Sequence, residues 1–125
     1  MKTFLAVVAI MLCCAGCGGS DADLVYFNLS TQKILVESIS GLPPWASPGV
    51  LVPVQGEDRL SAKGMTSSGE VLRIGATLKI AWREGGKLHQ AEFKRDELGL
   101  PAKLKNGQIR FTYLGNDNWR VRRIE

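Results

Sequence analysis

Residues 77–94 read Thr-Leu-Lys-Ile-Ala-Trp-Arg-Glu, then Gly-Gly, then Lys-Leu-His-Gln-Ala-Glu-Phe-Lys. Two segments of equal length flank Gly85-Gly86, and a Gly-Gly pair accepts the positive φ angles that a two-residue type I′ or II′ turn demands. Counted outward from that turn, Glu84 faces Lys87, Trp82 faces His89, Ile80 faces Ala91 and Leu78 faces Phe93. Side chains alternate with a period of two, so the last three pairs share one face. The other face pairs Lys79 with Glu92 and Ala81 with Gln90. Turn chemistry, apolar alternation and charge pairing require the same register, so the segment is a β-hairpin.

The chain on either side repeats the pattern. Downstream, Lys94 to Gly99 suits one helical turn, and Asn106-Gly107 is a turn signal. Gln108 to Leu114 alternates, with Ile109, Phe111 and Tyr113 on one face. Gly115-Asn116-Asp117-Asn118 is another turn, and Trp119 to Ile124 follows with Trp119 and Val121 inward. Upstream, Leu24 to Leu29 and Ile34 to Ile39 are apolar strands. The loop Gly41-Leu42-Pro43-Pro44-Trp45-Ala46-Ser47-Pro48-Gly49 is stiffened by prolines. Val50 to Val54 is demoted to an edge or bulge by Pro53. Residues 55–69 are polar and rich in Gly and Ser, which predicts a long loop, and Val71 to Ile74 is a short strand. No stretch beyond the leader keeps a 3.6-residue period. About seven or eight short strands predict an all-β domain, a small antiparallel sandwich or barrel over 24–125.

Composition agrees. The chain has 125 residues, 45% hydrophobic and 22% charged, which is ordinary for a globular protein and excludes wholesale disorder. The net charge of +4 is unevenly placed: residues 18–78 carry four Lys and Arg against six Asp and Glu, residues 79–125 eleven against six. The closing stretch holds Arg120, Arg122 and Arg123.

The N-terminus has a different character. Met1-Lys2-Thr3 carries one positive charge, and Phe4 to Cys14 is an eleven-residue apolar run. That run is short of the roughly 20 residues of a membrane-spanning helix but fits the apolar region of a secretory signal. Cys14-Ala15-Gly16-Cys17 then resembles the lipobox of bacterial lipoproteins, an aliphatic residue and two small residues before a cysteine; Cys14 stands where that family usually has Leu. The resemblance covers residues 1–17. It implies a signal peptide over 1–16, diacylglycerol (and often a further acyl chain such as palmitate) on Cys17, and a tether over 17–23. By the same analogy, Gly18 rather than Asp after the cysteine implies the outer membrane of a Gram-negative bacterium, facing the periplasm. Beyond the lipobox the domain resembles small single-domain β lipoproteins of uncharacterised function.

All three cysteines lie at or before the lipobox. A mature domain so processed holds no disulfide, thiolate metal site or catalytic cysteine, and the one covalent group expected is the lipid on Cys17. His89 is the sole histidine, and its place opposite Trp82 predicts a packed or rim residue. No His/Cys/Asp/Glu group has metal-ligand spacing along the chain; Glu57-Asp58 and Asp21/Asp23 lack the ordered Gly and following Glu of a calcium loop. Ser67-Ser68-Gly69 is not a nucleophile elbow, and no glycine stretch has the Lys-Ser/Thr of a phosphate loop. No cofactor, metal or nucleic acid is therefore expected.

The functional expectation is a non-enzymatic binding or assembly module of the cell envelope, held to the membrane by its lipid and meeting an envelope protein. Its candidate contacts are Pro44 and Trp45 on the proline loop and Arg120, Arg122 and Arg123. Trp45 either projects as an anchor, losing little entropy on binding, or folds back to cap the sandwich. Two alternatives are an envelope hydrolase using His89, and a structural lipoprotein touching anionic glycan or lipid through the basic strand.

Overall fold

The computed structural model describes residues 22–65 and 70–124; the lipobox, Cys17 and the leader lie outside the described residues. The strands are β1 (Ala22–Asn28), β2 (Ile34–Ser40), β3 (Gly49–Leu51), β4 (Ala62–Met65), β5 (Leu72–Arg73), β6 (Thr77–Glu84), β7 (Lys87–Lys94), β8 (Lys103–Leu104), β9 (Gly107–Gly115) and β10 (Asn118–Ile124). One sheet runs β10-β9-β1-β4, a second β3-β2-β6-β7, and β5 pairs with β8 alone. The fold is all-β, a small sandwich with no sheet closed into a barrel. One continuous core, with Leu24, Tyr26, Phe111 and Tyr113 from the first sheet and Ile34, Val36, Ile80 and Trp82 from the second, fills the space between them.

The hairpin forms in the expected register, from Thr77↔Lys94 to Glu84↔Lys87. Leu78, Ile80 and Trp82 are buried, and Lys79 and Glu92 face each other outside. Gly85 and Gly86 both take positive φ, 60° and 80°. The second tight hairpin, β9–β10, uses Asn116 and Asp117 at φ 52° and 63°, residue types that tolerate the left-handed region because their short polar side chains bond locally.

Three expectations need correction. Ten strands are present among the described residues rather than seven or eight, because β4 lies inside the stretch read as a long loop and β8 inside a segment read as connecting chain. The pairing is not wholly antiparallel: β1 runs parallel to β9, from Ala22↔Gly107 to Asn28↔Tyr113. That explains why Leu24 to Phe27 is a continuous apolar run, since a strand inside a sheet with both faces covered need not alternate. Ala22 and Asp23, read as tether, open β1, and Ala22 is buried. The segment after β7 makes the single turn expected of it, with Leu98 N–H donating to the carbonyls of Lys94, four residues back, and Arg95, three back, both at 3.2 Å.

A bulge at Glu37 shapes β2. Val36 pairs with Trp82 and Ser38 with Ala81, so Glu37 is the extra residue. The added residue shifts the alternation by one, which is why Ile39 rather than Ser38 joins Ile34 and Val36 in the core. Asn28, fully buried, organises the chain beside β1. Its amide donates to the Gln32 and Leu51 carbonyls at 2.8 and 2.9 Å, and its oxygen accepts from Ser30 N–H and Oγ at 3.0 and 2.6 Å. A buried amide so fully partnered fixes β3 and the 29–33 turn without a desolvation penalty.

Candidate functional site

Three features stand out, at different places on the sandwich.

The first is the Trp45 turn. Pro44–Ala46 forms a single 3-10 turn, closed by Ala46 N–H donating to Pro43 O at 2.9 Å. The Tyr26 hydroxyl donates to Ala46 O, and Ser47 Oγ donates to Val36 O at 3.0 Å. Burial pushes the Tyr26 phenol well above its ordinary pKa, so it stays a donor. Trp45 therefore sits on a turn pinned on its C-terminal side to both sheets. One ring edge leans toward Gly64 of β4, yet the residue remains 45% exposed, whereas Trp82 and Trp119 are 0% and 8% exposed. It neither stands free nor caps the core.

The second is the arginine face. The structure divides the expected cluster. Strand alternation puts Arg120 and Arg122 on the outer face of β10, while Arg123 falls on the opposite side, with Trp119 and Val121. Arg122 lies directly across from Arg110 of β9, a like-charge pair that would repel. Glu57 resolves the conflict. It accepts from Arg110 at 3.0 Å, Arg122 at 3.1 Å, Thr112 Oγ1 at 3.0 Å and Arg120. Burial on its own would raise the Glu57 carboxyl. The hydrogen bonds from Arg120 and Thr112, with the charges of Arg120 and Arg122, outweigh it and hold the group below its ordinary value. Sequence reading set Glu57 aside as a loop acid; it clamps the 55–60 segment onto the sheet. Only the like-charge pairing, invisible without the β9–β10 register, could have drawn attention to it.

The third was only partly visible in the sequence, which put His89 opposite Trp82 but brought neither Glu84 nor Asp117 to it. The turns of β6–β7 and β9–β10 close over the same end of the sandwich, and Trp82, Trp119, Tyr113 and His89 stack there. Trp82 lies 5.6 Å from His89 (interplanar angle 18°), 5.5 Å from Tyr113 and 5.6 Å from Trp119, ring centre to centre. His89 Nδ1 is 2.8 Å from Asp117 Oδ1. Tyr113, from the other sheet, donates its hydroxyl to Glu84 Oε1. Burial and then the Glu84 carboxylate push that phenol up to about 12. Glu84, His89 and Asp117 thus bring one ligating atom each to within 4.8 Å of one another. Sequence spacing hid the group because two of its members come from the β6–β7 hairpin and the third from a turn 28 residues beyond His89. His89 is a half-buried rim residue, as expected from its cross-strand partner. Glu84 also lines a pocket of about 330 Å³ with Ser30, Thr31 and Gln32.

Among the described residues no helix is long and apolar enough to cross a membrane. Comparison with protein-family models, with curated proteins and with solved structures returned no match to this chain.

Proposed function

We propose that the chain is a lipid-anchored cell-envelope protein whose β-sandwich serves as a binding or assembly module, tethered through Cys17 to the outer membrane of a Gram-negative bacterium and facing the periplasm. The observation that carries the binding role is Trp45. It is the only exposed aromatic among the described residues, and it rides on a turn already ordered by proline, Tyr26 and Ser47. A pre-ordered aromatic desolvates on binding without a large entropic cost, the usual chemistry of an interface hot spot. The arginines support a contact less well, since Glu57 engages Arg120 and Arg122 and Arg123 faces elsewhere.

A photo-crosslinker at Pro44 in living cells tests the reading. One reproducible protein adduct, insensitive to salt and lost in a Trp45→Ala variant of equal abundance, is expected. No adduct, or one indifferent to Trp45, goes against it. The anchor is tested separately: Cys17→Ser should abolish incorporation of labelled palmitate and leave either unprocessed precursor or a soluble form, whereas a substituted chain still lipidated and membrane-bound would go against the anchor.

A second reading, an envelope hydrolase working through His89, has the Glu84–His89–Asp117 grouping in its favour. Tyr113 stays protonated beside that group and supplies a donor rather than a nucleophile. Peptidoglycan or ester hydrolysis that vanishes in His89→Ala would establish it.

A further inference from the structure

We infer that Glu84, His89 and Asp117 form a binding site for one divalent transition-metal ion of the zinc class. The inference is independent of the lipid anchor and of Trp45.

The donor set is one imidazole and two carboxylates. Imidazole nitrogen suits zinc and its neighbours, whereas magnesium and calcium seek all-oxygen surroundings. Three protein ligands leave a coordination position open for water or a partner's side chain, as in non-structural zinc sites. The three atoms already lie within 4.8 Å of each other, so a small movement of side chains at the rim closes them on an ion. An incoming cation would also take over the charge balance of two neighbouring carboxylates now shared between Tyr113 and His89.

The surroundings have the character of a ligand-supporting shell. Metal-binding carboxylates are commonly held by hydrogen bonds from a second layer of residues, and Tyr113 does this for Glu84 from the opposite sheet. His89 is oriented by its stack on Trp82, a fully buried ring. Asp117 is fixed by a tight turn that holds it at φ 63°. Glu84 opens onto the 330 Å³ pocket, which gives an ion and its bound water a route in. Because the ligands span both sheets, an ion here would cross-link the sandwich at its most aromatic end.

The test uses the purified full chain in detergent, stripped with a chelator, and ZnCl2 as the probe, read by calorimetry and by thermal unfolding. One Zn²⁺ per chain with a raised unfolding temperature is expected, with Co²⁺ giving visible absorption bands and Mg²⁺ giving neither effect. His89→Ala tests the imidazole. Asp117→Asn is the safer variant, since that side chain is 60% exposed and asparagine accepts the same backbone conformation. Either should weaken binding at least about tenfold, and Tyr113→Phe, which alters only positioning, about 10–100-fold. Absence of a one-to-one zinc event, or zinc binding unchanged in folded Asp117→Asn, overturns the assignment.

Discussion

Replacing Glu57 with Gln removes a charge while keeping the size and one acceptor oxygen of the side chain. Three arginines surround that carboxylate, and its own side chain is 17% exposed while theirs are 28, 43 and 44% exposed. Solvent screening limits each such pair to about 0.5 kcal/mol. Three pairs, with the uncovered repulsion between Arg110 and Arg122, bring the expected loss to about 1.5–2 kcal/mol at pH 7. Urea denaturation would register this as a midpoint lower by about 1 M. The sign with pH follows from the lowered pKa. The folded carboxyl titrates below its unfolded value of 4.5, so its stabilisation is complete above that value and is lost as pH falls through the folded one. The gap between parent and Glu57→Gln should therefore be full at pH 7 and close in acid, and 1 M salt should narrow it at neutral pH. A gap that persists unchanged in acid would refute the reasoning, because the cost would then lie in shape rather than charge. No gap at pH 7 would show that the clamp contributes nothing.

Ile80, fully buried in the centre of the hairpin, should cost about 2–5 kcal/mol when cut to Ala, measured by the same denaturation. Gly41→Ala should be at least as damaging for a different reason: its φ is +92° and an added Cβ would fall 2.3 Å from the Thr77 carbonyl oxygen, a backbone atom that cannot swing aside, so loss of soluble folded protein is the expected readout.

What the sequence made legible was local. The β6–β7 register followed from a Gly-Gly turn and two alternating flanks, because a tight turn removes the freedom to slip. The faces of β9 and β10 followed in the same way from Gly115 to Asn118. What stayed hidden depended on partners far apart in the chain. The parallel β1–β9 pairing joins segments about 85 residues apart, and no local pattern encodes it. The bulge at Glu37 did leave a trace, since Ile34, Val36 and Ile39 are spaced by two and then three. β4 escaped notice because Ala62, Lys63 and Gly64 have little β propensity; its place comes from pairing with β1. Trp45 was legible as a stiffened aromatic, but its attachment through Tyr26 required the fold. The arginine triplet misled because three charges near one another in sequence need not share a face of a strand.

The Glu57 clamp and the Glu84–His89–Asp117 group illustrate two uses of charge on one scaffold. At Glu57, one carboxylate meets three guanidinium groups that cannot lose their protons, so near neutrality the cluster stays cationic with its carboxylate satisfied, and only acid strong enough to protonate Glu57 undoes it. Near neutrality such an arrangement holds a loop in place. At the other group the balance is reversed: two carboxylates share one imidazole and one phenol. Acceptors outnumber donors there, and the deficit is met most directly by an added cation. Beneath the group, Trp82, Tyr113 and Trp119 pack at 5.1–5.6 Å from one another, and His89 stacks on Trp82. A packed aromatic floor of this kind is the support a pre-ordered binding group needs, and here it lies where two β-turns meet.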